Sequence, residues 1–235
     1  MKKLIIASTS TIHGSGYLEY LLPNLSEHFN NCSEITFIPF ARPSGISHDD
    51  YTEIARKAFA KIGIKVKGLH EFEDYTNALK NSEGIFTGGG NTFLLVTQLY
   101  KYNLLSTLKE VVNNGTPYLG TSAGSNICGL TMSTTNDMPI IYPPSFNTLG
   151  FIPFNINPHY LDPNPNSTHK GETRETRIKE FHKFNSVPVV GLREGSWLSV
   201  NEGNIILEGK LDARVFEFNK KPYEVKPAHD FSNLN

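Results

Sequence analysis

The chain has 235 residues, of which 38% are hydrophobic and 11% aromatic, so it can bury a large core and is not a disordered chain. Its 22 Lys and Arg against 23 Asp and Glu give a formal net charge of −1, which excludes the basic excess typical of binding to nucleic acid or anionic membranes. Two cysteines, Cys32 and Cys128, are too few for a disulfide framework or a multi-cysteine zinc site. The apolar run after the first three residues is too short for a signal peptide, and no stretch approaches a membrane span. We therefore expect a reduced, cytoplasmic protein with no nucleic-acid or membrane partner.

The first half of the chain alternates short apolar runs with helical patterns. Apolar runs predict buried strands over residues 4–7, 35–40, 65–69, 84–87 and 117–120. Apolar residues spaced three and four apart predict helices over residues 18–29, 54–62, 91–100 and 104–112. This alternation predicts an α/β fold, with a mostly parallel central sheet and helices on both of its faces.

The second half has a different composition. Residues 133–170 contain seven prolines, which predicts loops with short strands and excludes regular helix. Residues 172–184 predict a charged, exposed helix. Residues 187–218 are β-prone and broken by glycines, which predicts antiparallel hairpins closing one edge of the sheet. Because no composition break or internal repeat appears, we expect a single domain over residues 1–235.

The strongest local motif is Gly120-Thr121-Ser122-Ala123-Gly124, which matches G-x-S-x-G directly after a predicted strand. A sharp turn from strand to helix would expose the Ser122 hydroxyl, and small flanking residues allow this turn without a steric clash. The N–H of Ala123 at the helix start can stabilise an oxyanion. The same pentapeptide also occurs as a plain turn, and the motif alone leaves both interpretations open.

A second glycine cluster, residues 88–90, also follows a predicted strand and precedes a helix. No Lys-Ser or Lys-Thr follows it, which excludes a Walker A loop, and G-x-G-x-x-G is absent. The cluster is either a tight turn with Asn91 as the helix N-cap or a backbone that approaches the substrate closely. In the second case Gly90 is the candidate for a further oxyanion donor.

A nucleophilic serine requires a base, and the base requires an orienting acid. Among the eight histidines, His159 lies in an apolar-flanked segment fixed by proline, which suits a positioned side chain. Asp137 and Glu194 are the candidate acids. Their alternative roles are a turn-capping aspartate and an arginine-paired glutamate, and the residue pattern does not separate these.

Six strings occurring in one order across most of the chain resemble peptidase E, the α-aspartyl dipeptidase family of serine peptidases. They are GGGNTF, GTSAGSN, TTNDMPI, FNINPHY, GETRETRI and GLREGS, within residues 84–95, 120–126, 134–144, 154–166, 171–178 and 190–196. The resemblance implies a flavodoxin-like fold related to class I glutamine amidotransferases, with Ser122 as nucleophile and His159 as base. It places Asp137 and Glu194 at the site, with either as the acid. It also implies hydrolysis of dipeptides with an unblocked N-terminal aspartate, without a metal or organic cofactor.

A substrate aspartate needs a guanidinium partner, because arginine pairs a carboxylate through two parallel hydrogen bonds. Arg174 and Arg177 in GETRETRI are the candidates, and their alternative role is pairing with nearby glutamates on the helix surface.

Two other functions compete with the dipeptidase. One is a cyanophycinase-like serine hydrolase acting on polyaspartate that carries arginine. The other is a non-catalytic flavodoxin-like module that binds an anion at the glycine cluster. Small peptides are the expected partners of the dipeptidase, and the sequence leaves monomer and homodimer open.

Overall fold

A computed structural model of the protein describes residues 1–163, 166, 168 and 171–235. The strands are β1 (Lys3–Ala7), β2 (Glu34–Ile38), β3 (Lys65–Gly68), β4 (Ile85–Thr87), β5 (Tyr118–Thr121), β6 (Asn155–Pro158), β7 (Val189–Leu192), β8 (Trp197–Asn201), β9 (Asn204–Glu208), β10 (Ala213–Phe216) and β11 (Tyr223–Val225). The α-helices are α1 (Leu22–His28), α2 (His48–Ala60), α3 (Tyr75–Lys80), α4 (Thr92–Lys101), α5 (Leu104–Asn113), α6 (Ala123–Asn126) and α7 (Arg174–Phe181). Short 3-10 helices lie at Glu19–Leu21 and Leu69–Glu71. No helix in these residues is long and apolar enough to cross a membrane.

The larger sheet has seven strands in the order β3-β2-β4-β5-β1-β8-β9. The five strands from β3 to β1 run parallel, whereas β8 and β9 pair antiparallel beside β1. In the stretch β3-β2-β4-β5, β3 lies on one side of β2, and β4 and β5 follow on the other side. This reversal of strand order is that of a doubly wound sheet. The predicted α/β fold with a mostly parallel central sheet is therefore confirmed.

Helices cover both faces of this sheet because its strands are apolar on both sides. In β1, Ile5 and Ala7 pack into a cluster with side chains of α1 and α2, and Leu4 and Ile6 pack into a second cluster with α3, α4 and α5. Consecutive side chains of a strand point to opposite faces, so a continuous apolar run requires two covering layers.

The C-terminal strands divide between two sheets, which the sequence did not predict. The hairpin of β8 and β9 closes one edge of the central sheet, as expected. However, β7 and β10 join a second, four-stranded sheet in the order β11-β10-β7-β6, in which β6 and β7 are parallel. An alternation of apolar and polar residues identifies a strand but does not identify the strand with which it pairs. The β6–β7 pair joins segments more than 30 residues apart.

Several element boundaries also differ from the expectations. Helix α2 begins before residue 54 because the Ser47 side chain caps it, accepting a hydrogen bond from the Asp50 N–H. Helix α3 was not predicted, and the predicted helix over 172–184 is confined to α7. The proline-rich segment forms loops around β6, and its residues 164–165, 167 and 169–170 lie outside the described residues.

Candidate active site

Ser122 occupies a sharp turn between β5 and α6. Its backbone has φ 54° and ψ −112°, a strained conformation for a residue with a side chain. The flanking positions require glycine because a side chain there would collide with the backbone. A Cβ on Gly120 would lie 2.4 Å from the Gly124 carbonyl oxygen, and one on Gly124 would lie 2.1 Å from that of Thr87. The G-x-S-x-G segment therefore has the strand-turn-helix geometry of a nucleophile elbow.

His159 joins Ser122 to Glu194. Its Nε2 lies 2.9 Å from Ser122 Oγ, and its Nδ1 lies 2.7 Å from Glu194 Oε1. A carboxylate oxygen accepts hydrogen bonds, so the contact with Glu194 is satisfied by the tautomer with the proton on Nδ1, which leaves Nε2 as the acceptor of the serine proton. The side chains of His159 and Glu194 remain 35% and 47% exposed, so the arrangement opens to solvent.

Asp137 lies at a different place from Glu194. Its Oδ2 accepts hydrogen bonds from the Thr92 N–H at 2.7 Å, the Thr92 hydroxyl at 2.6 Å and the Thr135 hydroxyl at 3.0 Å. Thr92 is the first residue of α4, where a carboxylate is favoured by the helix dipole. The structure thus separates the two candidate acids: Glu194 contacts His159, and Asp137 contacts the N-terminus of α4.

The glycine cluster lies directly against the elbow. A Cβ on Gly89 would lie 2.9 Å from Ser122 Cβ, so the loop approaches the serine closely. Gly90 has φ +146°, and a Cβ there would lie 2.2 Å from the Ala41 carbonyl oxygen. The Asn91 side chain also caps α4, accepting from the Leu94 N–H at 3.0 Å. The two interpretations of the cluster are therefore compatible: it forms a capped turn and a close backbone approach.

The two candidate oxyanion donors, Ala123 and Gly90, both lie close to Ser122 in the chain or in space. Ala123 is the first residue of α6, where an N–H has no acceptor within its own helix. Gly90 follows Gly89 on the loop that packs on Ser122. Sequence reasoning did not single out Gly89, although its place in a triple glycine after a strand was a signal of close backbone approach.

The two candidate arginines differ in their surroundings. Arg177 is exposed and lies 3.8 Å from Glu172, which is the helix-surface pairing considered as its alternative role. Arg174 is partly buried and has no carboxylate of the described residues within 4.0 Å. Burial lowers the pKa of the Arg174 guanidinium and the charge of Arg177 lowers it further, whereas the charge of Asp137 opposes both. Arg174 is thus near enough to Asp137 for the two charges to interact, without a close carboxylate partner among the described residues.

Asn136 connects the Asp137 loop to the segment that precedes His159, a contact for which no sequence pattern was a signal. Its amide donates to the Pro158 carbonyl at 2.7 Å, and its Oδ1 accepts from the Asn157 amide at 2.7 Å. Pro158 precedes His159 in the chain. The loop that carries Asp137 is therefore fixed against the end of β6, next to the proposed base.

Arg193 anchors the loop that carries Glu194. Its guanidinium donates two hydrogen bonds to Asp162 at 2.8 and 2.7 Å and also contacts Glu224. These charge-assisted bonds raise the pKa of Arg193 well above its usual value, so the guanidinium stays charged. Arg193, which precedes Glu194 in the chain, is thus held by carboxylates of two other segments.

The sequence that carries these residues matches the model of a known peptidase family. The family model for "Peptidase family S51" matches residues 4–208. The chain belongs to peptidase family S51. The prediction that it is an enzyme of the peptidase class, resembling peptidase E, is thereby confirmed.

Full-length relatives support the assignment to family S51. A protein named "Peptidase E" from Streptomyces coelicolor is 48% identical over 231 residues, covering 98% of this chain and 94% of the relative. A "Probable alpha-aspartyl dipeptidase" from Drosophila melanogaster is 43% identical, covering 99% and 97%. The solved structure of a peptidase from an acI-B1 Actinobacterium has a TM-score of 0.72 at 15% identity, covering 98% and 96%, and shows the shared fold alone. Neither the cyanophycinase-like hydrolase nor the non-catalytic module is favoured by these relatives.

Proposed function

We propose that this family S51 peptidase is a serine-type dipeptidase that hydrolyses dipeptides with an unblocked N-terminal aspartate. The observation that carries the proposal is the chain of hydrogen bonds from Ser122 Oγ through the His159 ring to Glu194. Such a chain is what a serine needs to become a nucleophile at neutral pH. The names of the two full-length relatives support a dipeptidase and an aspartyl substrate.

In the first half of the reaction, Ser122 Oγ attacks the carbonyl carbon of the substrate aspartate. The serine proton passes to His159 Nε2, and Glu194 stabilises the resulting imidazolium through its bond to Nδ1. The tetrahedral oxyanion accepts hydrogen bonds from the N–H groups of Ala123 and Gly90. The C–N bond then breaks, the amine takes the proton from Nε2, and an acyl-enzyme remains on Ser122.

In the second half, water replaces the amine. His159 Nε2 takes a proton from the water as its oxygen attacks the acyl carbon, and the proton then returns to Ser122 Oγ as the aspartate leaves. The exposure of the His159 ring allows water to reach it without a conformational change.

Asp137 and Arg174 are suited to recognise the two charges of an N-terminal aspartate. Asp137 uses Oδ2 for its contacts with Thr92 and Thr135, and we assign its Oδ1 to the substrate ammonium group. Arg174, partly buried and close to Asp137, is assigned to the side-chain carboxylate. Because Asn136 fixes the Asp137 loop against Pro158, Asp137 is held beside the proposed base. Arg177, exposed and paired with Glu172, is the weaker candidate.

A dipeptide panel with purified protein tests the proposal. Asp-Leu should be cleaved, and Asn-Leu, Glu-Leu and acetyl-Asp-Leu should be poor substrates. Asn-Leu lacks the side-chain carboxylate charge, Glu-Leu displaces that charge by one methylene, and acetyl-Asp-Leu lacks the ammonium charge. Cyanophycin is included in the panel. Preferential cleavage of cyanophycin would replace the dipeptidase with the polyaspartate hydrolase, and absence of turnover on all substrates would refute a serine hydrolase.

A further inference from the structure

The hydroxyl of Ser8 lies between the loops that carry His159 and Glu194. Ser8 is the residue after β1, and it is completely buried. Its Oγ accepts a hydrogen bond from the His159 backbone N–H at 2.9 Å and donates one to the Leu192 carbonyl at 2.8 Å. A serine hydroxyl has one proton and two lone pairs, so it can make both bonds at the same time.

Ser8 also lies beside the nucleophile. Ala7 is opposite Thr121 in the parallel β1–β5 pair, and the Ser122 N–H donates to the Ala7 carbonyl at 3.2 Å. The end of β1 therefore contacts the backbone of all three chain segments that supply the Ser-His-Glu set. It also connects the two sheets, because Ser122 follows a strand of the central sheet, whereas His159 and Glu194 follow strands of the second sheet.

His159 needs this support because of its backbone. Its φ of 54° is in the left-handed region, which a histidine occupies only when surrounding contacts hold it there. The His159 N–H bond to Ser8 is one such contact. On the other side, the Tyr160 N–H donates to the same Leu192 carbonyl at 3.0 Å, so one carbonyl and one hydroxyl fix the turn.

We propose that Ser8 is a positioning residue, which sets the distance between the His159 ring and Glu194 through its two hydrogen bonds. It does not touch the substrate and moves no proton. This inference rests on the proposed function for its effect on rate, but the His159–Glu194 contact that it controls can be observed without any substrate.

The test compares Ser8→Ala with Thr148→Val. Thr148 is also buried and donates its hydroxyl to a backbone carbonyl, that of Gly129 at 2.7 Å, so it controls for the loss of a buried hydroxyl. Ser8→Ala should lower kcat for Asp-Leu about 10- to 100-fold, with KM changed less than about threefold, because small misplacements of catalytic groups cost up to about 100-fold in rate. Thr148→Val should leave both constants within about twofold of wild type. Ser8→Cys preserves the shape with weaker hydrogen bonds and should give an intermediate kcat, and it replaces Ser8→Ala if that variant does not fold.

A spectroscopic measurement separates positioning from general destabilisation and from failure of the dipeptidase assignment. In ¹H NMR spectra recorded in water, the His159 Nδ1–H bonded to Glu194 should give a downfield signal, assigned by its loss in His159→Gln. The signal should broaden or disappear in Ser8→Ala and persist in Thr148→Val. A persistent signal with unchanged kcat in Ser8→Ala would overturn the inference. If wild type does not cleave Asp-Leu, the proposed function fails, while the NMR comparison still decides the role of Ser8.

Discussion

Glu194 Oε1 lies 2.7 Å from His159 Nδ1, although 35 residues separate the two in the chain. The parallel pairing of β6 with β7 produces this contact. Pro158 lies opposite Leu192 in that pair, so the two loops that follow leave the sheet side by side. Asp137, the other candidate acid, instead contacts Thr92 at the N-terminus of α4. This arrangement assigns different contacts to the two acids.

Replacing the nucleophile should abolish turnover without unfolding the protein. Ser122→Ala should lower kcat for Asp-Leu by about 10⁴- to 10⁶-fold, because loss of the nucleophile in a serine hydrolase has effects of that size. The substitution removes one hydroxyl, so circular dichroism and melting temperature should be nearly unchanged. Ser106→Ala, at an exposed position of α5, is the matched control and should keep full activity. Residual activity above a few per cent in folded Ser122→Ala would contradict the acyl-enzyme mechanism.

Exchanging each acid for its amide should distinguish their roles. Glu194→Gln removes the charge that orients and stabilises the His159 ring, so kcat should fall by about 10²- to 10⁴-fold, the upper figure being that of a buried aspartate in a serine protease. Asp137→Asn should act mainly on KM, because that carboxylate is assigned to the substrate ammonium group. Steady-state kinetics on Asp-Leu measure both constants. A larger loss of kcat in Asp137→Asn than in Glu194→Gln would reverse the assignment.

Substituting Arg174 should weaken the preference for aspartate. The wild-type kcat/KM for Asp-Leu should exceed that for Asn-Leu by about 10²- to 10⁴-fold, because the neutral side chain leaves a charged hydrogen-bonding group unpaired. Arg174→Lys should reduce kcat/KM for Asp-Leu about 10-fold or more, since lysine lacks the planar fork. Arg177→Lys is the control and should stay within about threefold, because surface ion pairs contribute little. Equal rates for the two peptides in wild type would contradict the charge pairing.

Chelation should leave activity unchanged. The proposed reaction takes its nucleophile from Ser122 and its proton transfers from His159, so no step requires a cation. Asp49, His70 and Glu71 lie close enough to suggest a cation site, but both Glu71 oxygens accept hydrogen bonds from Arg56. Turnover of Asp-Leu is compared before and after dialysis against EDTA. A loss of activity that added Zn²⁺ restores would identify a metal-dependent peptidase.

Acidification should destabilise the fold through His28. Burial, helped by the charge of Lys3, lowers the pKa of His28 to about 3, and its Nε2 contacts the Tyr118 carbonyl. In the unfolded chain the pKa returns to about 6.5, so the unfolded state binds the extra proton as the pH falls between these two values. The free energy of unfolding should therefore decrease by up to about 1.4 kcal/mol per pH unit from about pH 6.5 downward. Urea unfolding at pH 7.5, 5.5 and 4.5 measures this, and His28→Gln should show a smaller decrease. Equal slopes for the two proteins would contradict the buried neutral histidine.

The sequence was sufficient where the signal is local. The apolar runs specified β1 to β5, and the spacing of leucines specified α4 and α5. The pentapeptide around Ser122, placed directly after a predicted strand, indicated the turn from strand to helix. Each of these depends on neighbours within a few residues, because steric limits on the backbone and the period of the apolar face act over one or two turns. The capping role of Asn91 was predictable for the same reason.

The tertiary structure decided what depends on contacts between distant segments. Asp137 and Glu194 both stand outside the helices and strands, and only the β6–β7 pairing places one of them against His159. The contact of Gly89 with Ser122 and the bonds of Ser8 to His159 and Leu192 also join segments far apart in the chain. Strand pairing over such separations is selected by the packing of the whole core, and a local pattern carries no information about the partner strand. The residue types of the site were therefore visible in the chain, and their mutual positions were set by the junction of the two sheets.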